Sequence, residues 1–454
     1  MPENQYSPSV KIAARLDRLP LARVHYKLLF IHGCAWAFDA FDVGLVTFIA
    51  TALIQDWHLN PAQVGILLSS GLVGMMVGAF LSGPIADRFG RKTVFQSTML
   101  IFSLASLACA AAWDFNSLIF FRFLVGVGLG GETPAVTALM GEFIPAKDRG
   151  KVQGLLNTFW AVGWLAAAGL SYFVIPGLEN GWRWAFVGGA VPALYVWVVR
   201  RHLPESPRWL AVHGKSEKAL AIVDQIESEV AQTKTIPPLT EENLKAVLVE
   251  GKTSVSKLFS PEYLRTTLML WALWFLGMFG YYGLFAWMPS LLVKAGHSMV
   301  KSFMYVVIMQ AAYIPNQILC AYGMDKFGRK KLLTMNLLLA ALSALVFGWA
   351  LGIGGLAIAQ VVALGVLTSF FVSGIWGITY TYTPELYPTS IRVTGTSLAA
   401  TWSRVGSMLA PLVIGFALNS VGVSGAIAIV AAAFALGGVI VAIWGIETKG
   451  RTLK

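Results

Sequence analysis

The chain has few charged residues and few residues that could build a catalytic or metal site. Only 13% of its 454 residues are Asp, Glu, Lys or Arg, about half the share of roughly 25% that soluble domains carry. The six histidines show no metal-ligand spacing, and no CxxC, GxSxG or HExxH motif occurs. These absences argue against a soluble protein and against an enzyme, and they give no reason to expect a cofactor or metal.

Cysteine is also rare, because only Cys34, Cys109 and Cys320 occur and all three lie in apolar segments. An odd count without a pairing pattern argues against a disulfide framework. The N-terminal residues before the first apolar segment are polar and charged, and they lack the apolar core and cleavage site of a signal peptide. The first apolar segment is therefore expected to act as an uncleaved insertion signal.

Apolar residues, in contrast, make up 56% of the chain. They gather in twelve stretches, each close to the roughly 20 residues that a helix needs to cross a bilayer. Because lipid offers the backbone no hydrogen-bond partner, each stretch is predicted to be a transmembrane helix of an all-α membrane protein. The stretches are 28–54, 63–86, 93–113, 116–140, 151–175, 183–200, 267–293, 301–324, 332–351, 354–382, 393–419 and 424–446.

The formal net charge of +11 could indicate a nucleic-acid-binding protein, but the basic residues follow the loops between these stretches. With the N-terminus placed in the cytoplasm, nearly all of the 34 Lys and Arg fall in cytoplasmic loops and tails. Only Arg183, Lys294 and Lys301 fall on the opposite side, in agreement with the positive-inside rule. Both termini are therefore predicted to be cytoplasmic, with the lipid bilayer rather than nucleic acid as the partner.

A short basic loop motif occurs twice, as GPIADRFGRK at 83–92 and as GMDKFGRKK at 323–331. A second motif also occurs twice, as GEFIPAKDRGKVQG at 141–154 and as PELYPTSIRVTGTS at 384–397. The order and spacing of the two motifs agree in both halves, which indicates an internal repeat. The predicted domains are an N-terminal arm 1–27, a six-helix bundle 28–200, a linker 201–265, a second six-helix bundle 266–446 and a tail 447–454.

These motifs, with PESPRWL at 204–210 and IETKG at 446–450, resemble the major facilitator superfamily over nearly the whole chain. Three further stretches resemble bacterial niacin (nicotinate) permeases of the NiaP type within that superfamily: WAFDAFDVG at 36–44, FWAVGWLAAAGLSYFVIP at 159–176 and YTPELYPTSIRVTG at 382–395. The resemblance implies two pseudo-symmetric bundles that form a monomer in the bacterial cytoplasmic (inner) membrane. It also implies import of nicotinate, or of nicotinamide, by alternating access around a central site, with a proton as coupling ion.

Five charged side chains lie within the predicted spans, where a charge is costly and therefore marks a functional candidate. They are Asp39, Asp42, Arg122, Glu132 and Arg404. At about 1.5 Å rise per residue, Asp39 and Arg404 lie at similar depths near the midplane, and both are expected to reach one central cavity. The planar fork of Arg404 is predicted to anchor a substrate carboxylate. The alternative is a structural ion pair.

Asp39 and Asp42 lie three residues apart on one face of the first predicted helix. Because two close carboxylates disfavour double ionisation, one of them is expected to hold a proton. Asp39, Asp42 and Glu132 are therefore the candidate proton-coupling residues, and Asp39 is also a candidate substrate contact. Arg122 is expected to be structural or to pair with an acid.

A flat ring ligand favours offset or edge contacts with aromatic side chains. Asn157 and Gln310 could hydrogen-bond a carboxylate or a pyridine nitrogen. The remaining candidate substrate-binding residues are Trp36, Trp160, Tyr281, Tyr282, Trp376 and Tyr380. Packing or lipid contact is the alternative role of each aromatic residue.

The resemblance implies that charged residues of the duplicated loop motifs form ion pairs at helix ends, which stabilise the outward-open state and govern the conformational cycle. These candidate gate residues are Asp87, Arg88, Arg91, Glu142, Arg149, Asp325, Lys326, Arg329, Glu385 and Arg392.

Other functions stay open at this point. A proton symporter for benzoate-type acids would use the same carboxylate anchor. An organic-cation carrier on the same fold would bind through Asp39 and Glu132 instead, and a sugar carrier is a further option. A channel would need a filter or charged rings and would show no saturation.

Overall fold

The computed structural model describes residues 6–145, 148–244, 255–353 and 357–449. Every regular element within these ranges is helical. The helices of the first half are α1 (Pro8–Asp17), α2 (Arg23–Asp56), α3 (Pro61–Phe89), α4 (Arg91–Ala110), α5 (Phe115–Phe143), α6 (Arg149–Val174), α7 (Gly181–Gly188) and α8 (Pro192–His202). The short helices α9 (Pro207–Val212) and α10 (Ser216–Ala231) and a 3-10 turn (Val255–Phe259) follow.

The second half is helical in the same way. Its helices are α11 (Leu264–Phe285), α12 (Met288–Lys294), α13 (Met299–Ala311), α14 (Tyr313–Phe327), α15 (Arg329–Ile353), α16 (Ile358–Glu385), α17 (Thr389–Ser420) and α18 (Gly422–Trp444).

Within the described ranges, 11 helices are long and apolar enough to cross a bilayer. Two of them are interrupted: α7 and α8 together form Gly181–His202, and α13 and α14 together form Met299–Phe327. Eleven of the predicted stretches overlap these helices, which confirms that they are helical. The stretch 267–293 extends past its helix, because α11 ends at Phe285 and α12 begins at Met288. The stretch predicted at 151–175 lies in α6, whose apolar part, Thr158–Val174, is shorter.

The described residues form two compact units. The first comprises residues within Met1–Leu45, Val73–Ala167 and Arg183–Gly251, and the second those within Val46–Leu72, Ala168–Trp182 and Lys252–Lys454. The end of α2 and the start of α3 thus belong to the second unit. There, for example, the hydroxyls of Thr51 and Ser290 lie 2.9 Å apart.

Glycines allow close helix packing in the first unit. A Cβ on Gly78 would lie 2.0 Å from the carbonyl oxygen of Val127, and a Cβ on Gly130 would lie 1.9 Å from that of Met75. The backbones of α3 and α5 therefore touch, as expected where small residues mediate helix association in lipid. This packing positions α5, which carries Arg122 and Glu132.

An amphipathic helix precedes the first long helix. α1 buries Ile12, Ala13 and Leu16, and it packs on α9 and α10 of the first unit. Arg15 reaches Glu227 of α10 at 2.6 Å. Part of the predicted N-terminal arm is therefore a docked helix.

Candidate functional site

Aromatic side chains of α11 and α16 form a continuous cluster in the second unit. The ring of Trp376 lies 6.0 Å from that of Tyr281, at 90°, and 6.1 Å from that of Trp274. Trp274 in turn lies 5.0 Å from Tyr380. A glycine explains the approach of the two helices, because a Cβ on Gly277 would lie only 3.3 Å from the Trp376 ring. The edge-to-face arrangement is the one that aromatic quadrupoles favour.

Arg404 lies beside this cluster. Its guanidinium is within electrostatic range of the phenols of Tyr282 and Tyr380. The position of Arg404 follows from tight packing of α17 on α11, since a Cβ on Gly406 would lie 2.3 Å from the carbonyl oxygen of Phe275. The structure thus groups a guanidinium, phenols and indoles, which together can bind a small aromatic anion.

Tyr380 is the most exposed residue of this group. Tyr380 exposes 42% of its surface, whereas Tyr281 and Tyr282 are buried. Gln310, on α13, is half-buried, and its Nε2 donates to no acceptor among the described residues. The structure thus brings together five of the predicted substrate-binding residues: Tyr281, Tyr282, Trp376, Tyr380 and Arg404.

Tyr313 belongs to the same group but was not predicted from the sequence. It begins α14, and its phenol lies within electrostatic range of those of Tyr281 and Tyr380. The available signal was Pro315, which interrupts a membrane-length apolar stretch, because interrupted helices often line transporter sites.

A buried ion pair lies in the first unit. Arg122 of α5 donates to the Asp42 carboxylate of α2 at 3.0 Å, and their side chains are 3% and 1% exposed. The guanidinium also lies over the ring of Phe186, 5.9 Å from its centre. The expectation that Arg122 pairs with an acid is confirmed.

Glu132 forms a different arrangement on the same helix. Its side chain is 1% exposed, and neither of its carboxyl oxygens accepts a hydrogen bond from the described residues. Asp39, 2% exposed, acts on it electrostatically, and so does the phenol of Tyr195 on α8. Two buried carboxyl groups are thus within electrostatic range of each other in the first unit.

Two tryptophans of the first unit also pair. The rings of Trp36 on α2 and Trp160 on α6 lie 6.1 Å apart at 60°. Trp164, one turn after Trp160, instead packs on the backbone of α2, 3.1 Å from a Cβ built on Gly44. The side chain of Asn157 lies outside the described residues.

The duplicated loop motifs build the same network twice. In the first unit Arg91 forms an ion pair with Glu142 at 2.8 Å, and the Ser206 hydroxyl donates to Glu142. Glu205 accepts the backbone N–H groups of Arg91 at 3.0 Å and of Lys92 at 3.1 Å. The Glu205 carboxylate therefore caps the beginning of α4, where the helix dipole and the free N–H groups favour an anion.

The second unit repeats this arrangement. Arg329 binds Glu385 at 3.2 Å, and the Thr448 hydroxyl donates to Glu385. Glu447 accepts the backbone N–H of Arg329 at 2.8 Å, at the beginning of α15. The two-residue sequences Glu205-Ser206 and Glu447-Thr448 are thus equivalent.

The glycine before each capped helix is explained by the same contact. Gly90 and Gly328 have φ values of +97° and +89°, which side chains other than glycine rarely adopt. A Cβ at either position would also lie 2.3 Å from a carboxylate oxygen, of Glu205 and of Glu447 respectively. Glycine is therefore required for both the turn and the cap.

Backbone donors act on the ionisation of Glu447. Partial burial opposes its charged form, but N–H groups of Lys449, Arg329, Thr448 and Lys331 outweigh this effect and hold its pKa below the ordinary value. Glu447 is therefore a charged cap at neutral pH.

The other predicted gate residues make different contacts. Asp87, near the end of α3, lies 3.7 Å from Arg91 at the beginning of α4, and Asp325, near the end of α14, lies 3.1 Å from Arg329 at the beginning of α15. Arg392 donates to the carbonyl oxygen of Pro384 at 3.0 Å and so holds the loop before α17.

Two more of these residues contact rings rather than acids. Arg88 lies over the ring of Phe89, and Lys326 lies over that of Phe327, at 5.3 and 5.6 Å. The side chain of Arg149 lies outside the described residues. Glu205, Ser206, Glu447 and Thr448 were not predicted as network residues, although the repeat of Glu followed by a hydroxyl residue was a usable signal.

Comparisons with known proteins agree with this architecture. Residues 42–454 match the family described as sugar (and other) transporter. The chain is 44% identical over 403 residues to the niacin transporter NiaP of Acinetobacter baylyi, with 89% of each chain covered. It is 31% identical over 404 residues to the 4-hydroxybenzoate transporter PcaK of the same organism, with 88% and 86% covered. The inward open conformation of the xylose transporter XylE from E. coli superposes with a TM-score of 0.75 at 18% identity, over 94% of this chain and 98% of that one.

Proposed function

Because the chain belongs to the sugar (and other) transporter family of the major facilitator superfamily, we propose that it is a secondary carrier that imports nicotinate by alternating access. The similarity to a niacin transporter over 89% of the chain supports this substrate. Arg404 beside the phenols of Tyr282 and Tyr380 carries the proposal, because a guanidinium binds a carboxylate through paired hydrogen bonds. The neighbouring indoles and phenols would contact the ring.

The same site argues against a cationic substrate. A guanidinium would repel an organic cation, and a neutral sugar offers it no carboxylate. A benzoate-type acid is the second candidate, because the chain is 31% identical to a 4-hydroxybenzoate transporter. Both candidates are small flat carboxylates, so the anchor would be shared.

The Glu132 and Asp39 pair is the proposed proton site. Asp42 is already neutralised by Arg122 at 3.0 Å, whereas Glu132 has no hydrogen-bond donor among the described residues. Burying two adjacent negative charges is costly, and a proton on one of them removes that cost. Asp42 would therefore hold Arg122 in place, and Glu132 would carry the coupled proton.

The topology completes the proposal. The carrier would have twelve spans, with bundles 28–200 and 266–446 joined by the linker 201–265, an arm 1–27 and a tail 447–454. It would be a monomer in the bacterial cytoplasmic membrane, with both termini cytoplasmic. Nicotinamide stays a further candidate ligand. Trp36, Trp160, Asn157 and Gln310 stay candidate contacts of the substrate.

The networks of the loop motifs would govern the conformational cycle. Their ion pairs connect residues of different helices. If one helix end moves relative to its neighbour, these ion pairs must break. The candidates are Asp87, Arg88, Arg91, Glu142, Arg149, Asp325, Lys326, Arg329, Glu385 and Arg392, joined by the four residues Glu205, Ser206, Glu447 and Thr448.

Uptake into proteoliposomes tests the proposal. Radiolabelled nicotinate uptake is expected to saturate and to rise with an inward proton gradient. Arg404→Ala is expected to reduce uptake at least about tenfold, since a hydrogen-bonded charged contact contributes roughly 1.5–3 kcal/mol. Arg201→Ala is the matched control, because Arg201 is exposed beside Trp197. Folded protein without nicotinate uptake would reject the niacin assignment, and labelled benzoate would then be assayed.

A further inference from the structure

The candidate span Met299–Phe327 is interrupted beside the aromatic cluster. α13 ends at Ala311 and α14 begins at Tyr313. Pro315 explains the interruption, because proline has no N–H to donate to the carbonyl oxygen four residues before it. The interruption places Tyr313 at the beginning of α14.

A polar neighbour of Tyr313 on α14 is Gln317. Gln317, one turn later, donates from Nε2 to the carbonyl oxygen of Ser373 at 3.0 Å, and this acceptor sets the orientation of the amide. The Gln317 side chain acts on the Tyr313 phenol as a hydrogen-bond donor does. The second Nε2 hydrogen is therefore available to the Tyr313 oxygen, and the phenol hydrogen can point elsewhere.

The phenol of Tyr313 and the guanidinium of Arg404 both lie near Tyr380. Tyr380 is within electrostatic range of each of them, and it is the exposed member of the cluster. The site therefore offers one cationic anchor and one neutral donor around an accessible ring. Nicotinate needs this combination, since it carries a carboxylate and, two ring positions away, a neutral nitrogen that accepts a hydrogen bond.

We propose that Tyr313 donates its phenol hydrogen to the ring nitrogen of the substrate and thereby selects pyridine carboxylates over benzoates. This inference rests on the proposed function and adds a specificity residue to it. In benzoate a C–H group takes the place of the ring nitrogen, so the Tyr313 hydroxyl would lose its acceptor in a desolvated site. Sites built to hydrogen-bond a substrate reject analogues that lack the partner.

Affinity measurements on the full-length protein test the inference. Nicotinate, benzoate and isonicotinate, whose nitrogen is shifted by one position, are titrated into the wild type, Tyr313→Phe and Tyr322→Phe. The wild type is expected to bind nicotinate about tenfold or more tightly than benzoate and isonicotinate. Tyr313→Phe is expected to remove that preference while binding benzoate as before. Tyr322→Phe is the matched control on the same helix, since Tyr322 is 79% exposed.

Several results would overturn the inference. If Tyr313→Phe weakened the binding of nicotinate and of benzoate equally, the hydroxyl would not form a hydrogen bond with the ring nitrogen. If Gln310→Met lost the preference for nicotinate while Tyr313→Phe kept it, this role would belong to the Gln310 amide on α13. A wild type that binds benzoate but not nicotinate would instead reject the proposed function itself, and the inference with it.

Discussion

At the scale of single residues, Asp39 and Asp42 are similar acids of α2 that interact with different side chains of the antiparallel helix α5. Asp42 meets Arg122, and Asp39 faces Glu132, so the order along α2 is reversed along α5. Asp42 thus has an ion-pair partner on the neighbouring helix, and Asp39 acts electrostatically on Glu132 of that helix. Removing one member of a buried ion pair typically costs about 3–5 kcal/mol, so Asp42 is needed for stability whatever else it does.

The Glu447 cap allows a prediction about pH. Its pKa is lowered in the folded protein by backbone N–H groups, after the opposing effect of burial. Its contribution to stability is therefore complete above the pKa of the unfolded chain, and it is lost as pH falls through the lower pKa of the folded state. Glu447→Gln is expected to lower the free energy of unfolding by about 1 kcal/mol at neutral pH and by less in acid.

Thermal unfolding between neutral and acidic pH measures this difference. Glu217→Gln is the control, because Glu217 is an exposed residue in the first turn of α10. A destabilisation by Glu447→Gln that stays constant as pH falls would show that the charge of the cap is not what stabilises the helix.

Which residues carry charge in the spans could be read from the sequence, but which of them meet could not. The five intramembrane charges stand out because each is costly in lipid. Their partners depend on how α2 and α5 are aligned along each other, and an apolar sequence does not reveal that alignment. Tyr313 was missed for a related reason. Its phenol belongs to the aromatic cluster only because α11 and α16 lie beside it, and the sequence does not show that placement.

At the scale of helices, packing by glycine on α5 can be tested with a control in the same helix. Gly130→Ala places a methyl group where the carbonyl oxygen of Met75 lies 1.9 Å away, so α3 and α5 must separate. Overpacking of this kind typically costs about 1–3 kcal/mol. Gly141→Ala is the matched control, because a Cβ there has no atom within 4 Å.

The thermal unfolding temperature and the yield of folded protein in detergent measure the effect. Gly130→Ala is expected to lower both, and Gly141→Ala is expected to leave them unchanged or slightly raised, since alanine favours helix. Equal behaviour of the two variants would show that α3 and α5 tolerate separation at this point.

Helix positions followed closely from the apolar stretches, because length and hydropathy alone define a membrane helix. Interruptions within helices did not. Met299–Phe327 reads as one continuous apolar stretch, yet Pro315 divides it into α13 and α14. α1 was also missed. Its apolar face is buried by α9 and α10, which come about two hundred residues later in the chain.

At the scale of the whole molecule, the two proposed chemistries belong to different units. The anion anchor Arg404 lies in the second unit, and the acid pair Asp39 and Glu132 lies in the first. Substrate affinity and proton coupling should therefore be separable by mutation. A variant in one unit can remove the energy source of transport while the other unit still holds the substrate.

Glu132→Gln tests this separation. Glutamine keeps the shape of a protonated glutamic acid but cannot release a proton. The variant should therefore behave like a carrier whose residue 132 is always protonated. Counterflow of labelled nicotinate, which needs no net proton movement, is expected to persist near the wild-type rate. Accumulation driven by an inward proton gradient is expected to fall to the level reached without the gradient.

Both assays use the same proteoliposome preparation, so folding and reconstitution are common to them. Glu179→Gln is the control, because Glu179 is exposed in the loop after α6. Gradient-driven accumulation by Glu132→Gln at the wild-type level would remove Glu132 from the proton path and return the role to Asp39 or Asp42. Loss of counterflow together with accumulation would show instead that the acid pair is needed for substrate binding or for the movement itself, and the assignment of separate chemistries to the two units would be wrong.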